Sequence, residues 1–390
     1  MKKTITLSIA TLTALSMSAQ LPVSKMAGKK QALLEEYTGN TCGFCPAGHK
    51  ISDDLKASKP KQVFAINIHT GDFARPVTKD FRTPDSDAIY AIPTTGVSGF
   101  PAGVVNRTAP LSGSPQKTGG WATSRGLWAS NASVQITQNT YINIAGQAYV
   151  HPTTRKMIVN MEAYYTAAAP SNASMKISVA LLQSNVIAYQ RSASTYYPAM
   201  LQKAGDDKTY KHNHALRKIL TAGSTGEAMT GAKTTGTTWK KTYNYTVPAD
   251  IPGGTLTIPT VLNDLELIAF ITDGSDNGNV VAVCKVPLTV STSTDVFGLG
   301  AAADLVSNVS VYPNPMVSEG AVVFTLGESS NVNVDVVNAL GQVVKSDNLK
   351  TLTTGEHKYE LDATNLTNGI YFVNINVGNN TITKKVSVLK

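Results

Sequence analysis

The residues with the clearest chemistry are Cys42-Gly43-Phe44-Cys45. At the start of a helix, such a pair has a redox logic. The first sulfur lies near unpaired backbone N–H groups and the positive end of the helix dipole, which favours its thiolate. The second sulfur falls on the same helix face and can resolve a mixed disulfide. A zinc half-site uses the same spacing, but no second Cys pair or His pair completes it. A purely structural disulfide uses it too, and that reading stays open. The chain has three cysteines, and spacing leaves Cys284 as the odd thiol, packed as a small hydrophobe in an alternating strand.

Other polar candidates read more simply. His212 and His214, two apart, would share one side of a strand with Asp206 and Asp207 nearby. A polar loop is preferred there over a metal site. His49 follows the Cys pair on its helix and reads as a solvated surface histidine, while His69 ends a strand and reads as packed. Tyr164, Tyr165, Tyr196 and Tyr197 read as sandwich-core and edge residues rather than a sugar-binding surface. No metal and no cofactor is expected.

The elements that must position the Cys pair are legible on either side of it. Gln31 to Tyr37 reads as a strand, and Pro46 suits a first helical turn. Ile51 and Leu55 share a helix face, and Gln62 to Ile68 is an apolar run of the kind buried in a parallel sheet. Thr83-Pro84-Asp85 is a helix start, and Gly103 to Asn106 is a further short strand. Trp121 and Trp128, seven apart, are expected on one face of a helix, with this α/β unit ending near Ser130. From Val134-Gln135-Ile136 onward, alternating segments with turns between them predict an antiparallel β-sandwich. A polar, Gly/Thr-rich insertion from Ser194 to Gly236 interrupts it.

The two chain ends speak of export. Lys2, Lys3, the apolar stretch Ile5 to Leu15 and the small residues up to Ala19 make a signal peptide, with cleavage expected after Ala19. The 390 residues carry a formal charge of +8, and removing Lys2 and Lys3 leaves +6. That excess is spread thinly, so no nucleic-acid partner is expected. The expected division is a signal at 1–19, an α/β domain at 28–130, a β-sandwich at 131–290, a small-residue linker at 291–308 and a small Ig-like β-sandwich at 309–390.

Three resemblances refine this α+β multidomain reading. Glu36 lies six residues before Cys42, and Phe100-Pro101 lies just before a strand; with the Cys pair these resemble the thioredoxin superfamily. The resemblance implies catalytic roles for Cys42 and Cys45, a buried proton-transferring acid at Glu36, a cis proline at Pro101, and substrate backbone pairing at Phe100. Thr41 stands where that superfamily commonly has Trp, and Phe44 where it commonly has Pro. Leu33 to Gly39, Pro46, His49 and Phe100 to Arg107 resemble the bacterial family named for a 28-kilodalton outer membrane protein, as does His212 to Arg217. That family joins a thioredoxin-like domain to a β-rich one. Tyr312, Pro313, Asn314, Pro315, Gly341, Gly369, Tyr371, Lys384, Lys385 and Val386 stand in segments that resemble the type IX secretion C-terminal sorting domain.

These resemblances imply passage through the periplasm to the cell surface. The implied partners are the type IX machinery with its sortase, a surface lipopolysaccharide anchor, and a protein thiol substrate or surface ligand not named by the sequence. The enzyme reading is a thiol–disulfide oxidoreductase. The alternative is a non-catalytic surface binding protein or adhesin with a structural Cys42–Cys45 disulfide. Deleting Leu366 to Lys390 is expected to trap the protein in the periplasm. Protease accessibility of intact cells checks this, and normal surface display would contradict the address.

Overall fold

The computed structural model describes residues 21, 23–251, 256–274, 278–292, 306–326, 329–339, 341–377 and 380–390. The expected signal peptide and most of the expected linker lie outside the described residues.

Strand β1 (Ala32–Thr38) is buried at every position, as a strand covered on both faces must be. Helix α1 (Cys45–Ser58), with Pro46 in its first turn, leads to β2 (Val63–His69), which runs parallel to β1. Helix α2 (Pro84–Tyr90) starts where a cap is expected: the Thr83 hydroxyl accepts from the Ser86 N–H at 3.0 Å. Strand β3 (Ala102–Val105) pairs antiparallel with the other side of β1, placing Gly103 opposite Glu36. A short strand β4 (Thr123–Ser124) pairs with β3 and feeds helix α3 (Trp128–Gln135).

Three expectations give way here. Trp121 lies outside α3, where its backbone N–H donates to the Thr94 and Thr95 carbonyls. Val134 and Gln135 end α3 instead of opening a strand. The boundary expected near Ser130 therefore falls inside that helix. Trp128 drives the outcome: it is fully buried, and a Cβ at Gly103 would come within 2.2 Å of its indole nitrogen. Burying an aromatic of that size outweighs the weak helix propensity of the Asn and Ser around it.

The remaining chain before the terminal domain forms β5 (Ile142–Val150), β6 (Lys156–Tyr165), β7 (Lys176–Gln183), β8 (Val186–Ala188), helix α4 (Ala193–Tyr196), β9 (Tyr210–His212), β10 (Ala215–Ile219), β11 (Thr238–Thr246), β12 (Leu265–Thr272), β13 (Val280–Val286) and β14 (Leu288–Val290). Two sheets face each other as a sandwich. One has the order β11-β6-β5-β14. The other has the order β13-β12-β7-β10-β2-β1-β3-β4, so half of the sandwich and the whole first unit are one sheet. The join is β10, which lies antiparallel to β7 and parallel to β2, with Ala215 opposite Asn67. The Asn67 side chain reinforces it by donating to the Asn213 carbonyl at 2.9 Å.

An apolar core crosses the expected domain boundary: Tyr37, Ile66 and Ile68 pack in one cluster with Leu182, Leu216 and Phe270. The segment expected as a polar insertion, Ser194 to Gly236, is thus structural, since it contains both β9 and β10.

The last domain has two sheets. Strands β15 (Val306–Tyr312), β16 (Glu319–Leu326) and β19 (Gly355–Asp362) form the order β15-β16-β19. Strands β17 (Ser330–Asn338), β18 (Val343–Leu352), β20 (Gly369–Val377) and β21 (Asn380–Val388) form β18-β17-β20-β21. Alternating residues such as Val322, Phe324, Val334, Val336, Val373 and Ile375 fill the core between them. Gly341 takes a φ of 83° in the turn between β17 and β18, which explains a glycine there.

One buried ion pair ties the first unit to the sandwich. Arg107 donates to both Glu35 oxygens, at 2.8 and 2.6 Å, and its guanidinium lies 5.0 Å from the Phe270 ring on β12. Removing one partner leaves the other charged and buried. Arg107→Leu is expected to destabilise the protein by about 3–5 kcal/mol, measured as a drop in urea midpoint. A change below about 1 kcal/mol would contradict the assignment.

Candidate functional site

Cys42 and Cys45 form a disulfide at the entrance to α1. Cys42 lies in the turn before the helix, its N–H donating to the Gly39 carbonyl at 3.0 Å. Cys45 is the first helical residue, and Phe44 before it supplies no side-chain cap. The first-turn N–H groups therefore have no side-chain acceptor from the cap position, as the sequence logic requires. The loop is fixed from one side by residue 73. The Thr41 N–H and hydroxyl both donate to the Phe73 carbonyl, at 3.0 and 2.9 Å. Gly39 allows this approach, since a Cβ there would come within 2.3 Å of that carbonyl.

Glu36 lies beneath α1. Its Oε1 stands 2.5 Å from where a Cβ on Gly48 would sit, and the Pro101 ring stands 3.0 Å from the same point. The Phe100–Pro101 bond is cis. Acid, helix and proline thus meet one turn beyond Cys45. Glu36 is fully buried, and neither carboxyl oxygen has a hydrogen-bond partner. Burial, and then the Asp53 carboxylate, hold its pKa well above the usual carboxylate range, with Lys56 opposing. An acid shifted in this direction holds its proton to higher pH than a free carboxyl and can give it to a thiolate.

Around Glu36 the structure gathers histidines from distant segments. His49 is buried, contrary to the expectation of a solvated residue. Its Nε2 lies 2.8 Å from the Thr38 hydroxyl and its Nδ1 lies 2.9 Å from the Tyr210 hydroxyl. Burial pushes its pKa down to about 4. His69 stacks on Phe81 at 4.5 Å between ring centres. His212 lies 4.5 Å from Phe81 and 4.9 Å from Tyr210, and burial together with His49 pushes it down to about 3. His214 does not share its side: β9 ends at His212, and His214 sits at a φ of 54° with its Nδ1 3.0 Å from Glu266. Among the described residues no group of three or more His, Cys, Asp or Glu side chains could hold a metal ion.

The connection between β8 and β9 covers the Cys loop. The Gln190 amide donates to the Cys42 and Gly39 carbonyls at 3.0 and 3.2 Å, and the Arg191 N–H donates to the Asn40 carbonyl at 2.8 Å. Tyr197 donates to Asp53 at 3.2 Å. Under this cover Cys42 is 2% exposed, while Phe44 beside it is 51% exposed and packs against Tyr196. Phe73, Phe100 and Tyr90 extend an aromatic rim on the other side.

Tyr164 and Tyr165 lie on β6, apart in sequence from Tyr196 and Tyr197 at α4. Cys284 is partly buried in β13, and burial pushes its thiol up to about 12, which leaves it inert. Sequence reasoning missed Gln190 and Tyr210. The short alternation Tyr210-Lys211-His212 is the local signal that could have found a strand there.

The profile of the outer membrane protein Omp28 family matches residues 90–292, and that of the secretion system C-terminal sorting domain matches residues 310–389. Among curated proteins none matches the chain. Of solved structures, HBP35 of Porphyromonas gingivalis aligns with a TM-score of 0.51 at 18% identity, over 93% of this chain and 99% of that one. This is a likeness of fold. An Agrobacterium tumefaciens protein aligns at a TM-score of 0.38 and 12% identity, over 66% of this chain and 95% of its own. PorZ, a surface component of the Porphyromonas gingivalis type IX secretion system, aligns at 0.18 and 17% identity, over 32% of this chain and 15% of its own.

Neutral buried histidines make acid destabilising. The unfolded chain takes up their protons near pH 6.5, whereas folded His49 and His212 wait until about 4 and 3. Their contribution is full above pH 6.5 and is lost as pH falls toward 4. Glu36, shifted the other way, opposes part of this slope. His212→Phe is expected to remove about 1.4 kcal/mol per pH unit of the acid slope below pH 6.5. Urea unfolding at several pH values checks it, and an unchanged slope would contradict the buried neutral state.

Proposed function

The chain belongs to the outer membrane protein Omp28 family and ends in a type IX sorting domain, and on that premise we propose that it is a cell-surface thiol–disulfide oxidoreductase. The sorting domain delivers it through the type IX machinery to the outer membrane surface. The working unit is a thioredoxin-like domain at 28–135, with Cys42 as attacking sulfur and Cys45 as resolving sulfur. Glu36 is the proton carrier, and Phe100 with cis Pro101 forms the edge where an extended peptide pairs. One observation carries this reading: a buried acid with no hydrogen-bond partner, a cis proline and the Cys pair converge on one turn of α1.

The strand order β2-β1-β3-β4, with helices after β1, β2 and β4, supports the domain assignment. The aromatic rim of Phe44, Phe73 and Phe100 supports an apolar or partly unfolded polypeptide as the thiol substrate.

A second reading draws on a different observation. Cys42 is 2% exposed under the Gln190 segment, as a stapling disulfide in a non-catalytic binding protein would be. Activity separates the two. Insulin reduction by the full chain is expected to vanish in Cys42→Ser and to fall roughly 100-fold in Glu36→Gln. Wild-type protein without reductase activity, and with a reduced Cys42 no more reactive toward alkylation than a free thiol, would leave the stapling reading standing.

A further inference from the structure

Glu36 cannot lose its proton cheaply unless something donates to the carboxylate left behind. Among its described neighbours, one side chain is placed to do so. His49 Nε2 stands 3.9 Å from Glu36 Oε1 and spends its hydrogen bond on Thr38 at 2.8 Å. Both partners of that choice come from β1, so a small ring movement passes the bond from one to the other.

Which His49 nitrogen carries the hydrogen is decided by the sandwich half of the chain. Tyr210 on β9 is buried, and burial above all holds its phenol's pKa well above the usual range. Nδ1, 2.9 Å away, is the acceptor this buried hydroxyl has among the described residues, so the phenol donates to it and Nε2 carries the hydrogen. We propose that His49 is a positioning residue for Glu36, its Nε2–H fixed by Tyr210 and transferred from Thr38 to the Glu36 carboxylate when that acid releases its proton.

The step balances within the oxidised enzyme and a dithiol substrate. A substrate thiolate bonds to the Cys42 sulfur as the Cys42–Cys45 bond breaks, and the electron pair leaves on Cys45. Cys45 thiolate takes the Glu36 proton, and the new carboxylate accepts the His49 Nε2–H. The second substrate thiolate then attacks its own sulfur in the mixed disulfide and releases Cys42 thiolate. The substrate is oxidised by two electrons and the Cys pair is reduced by two.

Other titratable groups face this cluster from several sides. Asp53 and Lys56 act from α1, His212 from β9, His69 from β2 and Arg217 from β10. From the β3 side the contact is the uncharged Pro101 ring. None of these has a hydrogen bond to either Glu36 oxygen.

The inference rests on the oxidoreductase reading for its purpose, but its test does not need activity. The oxidised full chain, ¹³C-labelled at Glu carboxyls, is titrated by NMR with the Glu36 signal assigned by Glu36→Gln. His49→Leu is expected to move the Glu36 midpoint upward by about one pH unit, the worth of one hydrogen bond to a charge. Tyr210→Phe should move it the same way by less, and His49→Gln, which keeps an N–H donor, should restore most of it. An unmoved or lowered midpoint in His49→Leu and Tyr210→Phe overturns the proposal. If His49→Leu fails to fold, Tyr210→Phe and His49→Gln decide. Insulin reduction by wild-type protein is scored separately, so an inactive enzyme with shifted midpoints sinks only the oxidoreductase reading.

Discussion

The site depends on backbone pairing between two strands far apart in sequence. Strand β10 lies beside β2, with Ala215 opposite Asn67 and the Asn67 N–H donating to the His214 carbonyl at 2.9 Å. Without that join, β9 and the Gln190 segment have no reason to reach α1. With it, Tyr210 meets His49, His212 meets Phe81, and Gln190 meets the Cys42 carbonyl. A polar cluster buried at such a junction has few alternatives: each group must be neutral, hydrogen-bonded or both. Glu36 has no hydrogen-bond partner and burial raises its pKa, which is costly for structure and suits a proton carrier.

This arrangement also separates what the two parts of the chain do. The α/β unit supplies sulfurs, acid and cis proline. The sandwich supplies the surroundings that set the acid's properties and the cover that leaves Cys42 2% exposed. The cover bonds to backbone carbonyls of the Cys loop, and Phe73 packs against Phe100 on the other side. The terminal domain has its own closed core and, among the described residues, adds none to that cluster. Its part is transport to the cell surface.

Much of the first unit was legible because its signals are local. The Thr83 cap, the apolar β2 run and Pro46 after Cys45 each act within one turn or strand. The acid and the cis proline were legible only through family resemblance, since nothing local marks Glu36 as buried. The misses share a non-local cause. His49 is followed by Lys50 and precedes Asp53 and Asp54, so it reads as solvated, yet Tyr210 buries it from 161 positions away. Helix α3 hides in Asn- and Ser-rich sequence because one buried Trp128 under Gly103 decides it. The segment taken as an insertion is polar in composition, and its Tyr210, His212 and Arg217 are buried only because β10 completes the sheet.

On the proposed reading, Cys42–Cys45 is a working redox couple and not a staple. Its reduction potential, measured by equilibrating the full chain with dithiol buffers and trapping the thiols, tests that most directly. A reversible two-electron couple between about −120 and −270 mV, the span of dedicated oxidoreductases, is the predicted result. A potential below about −300 mV, where structural disulfides of secreted proteins lie, would contradict it.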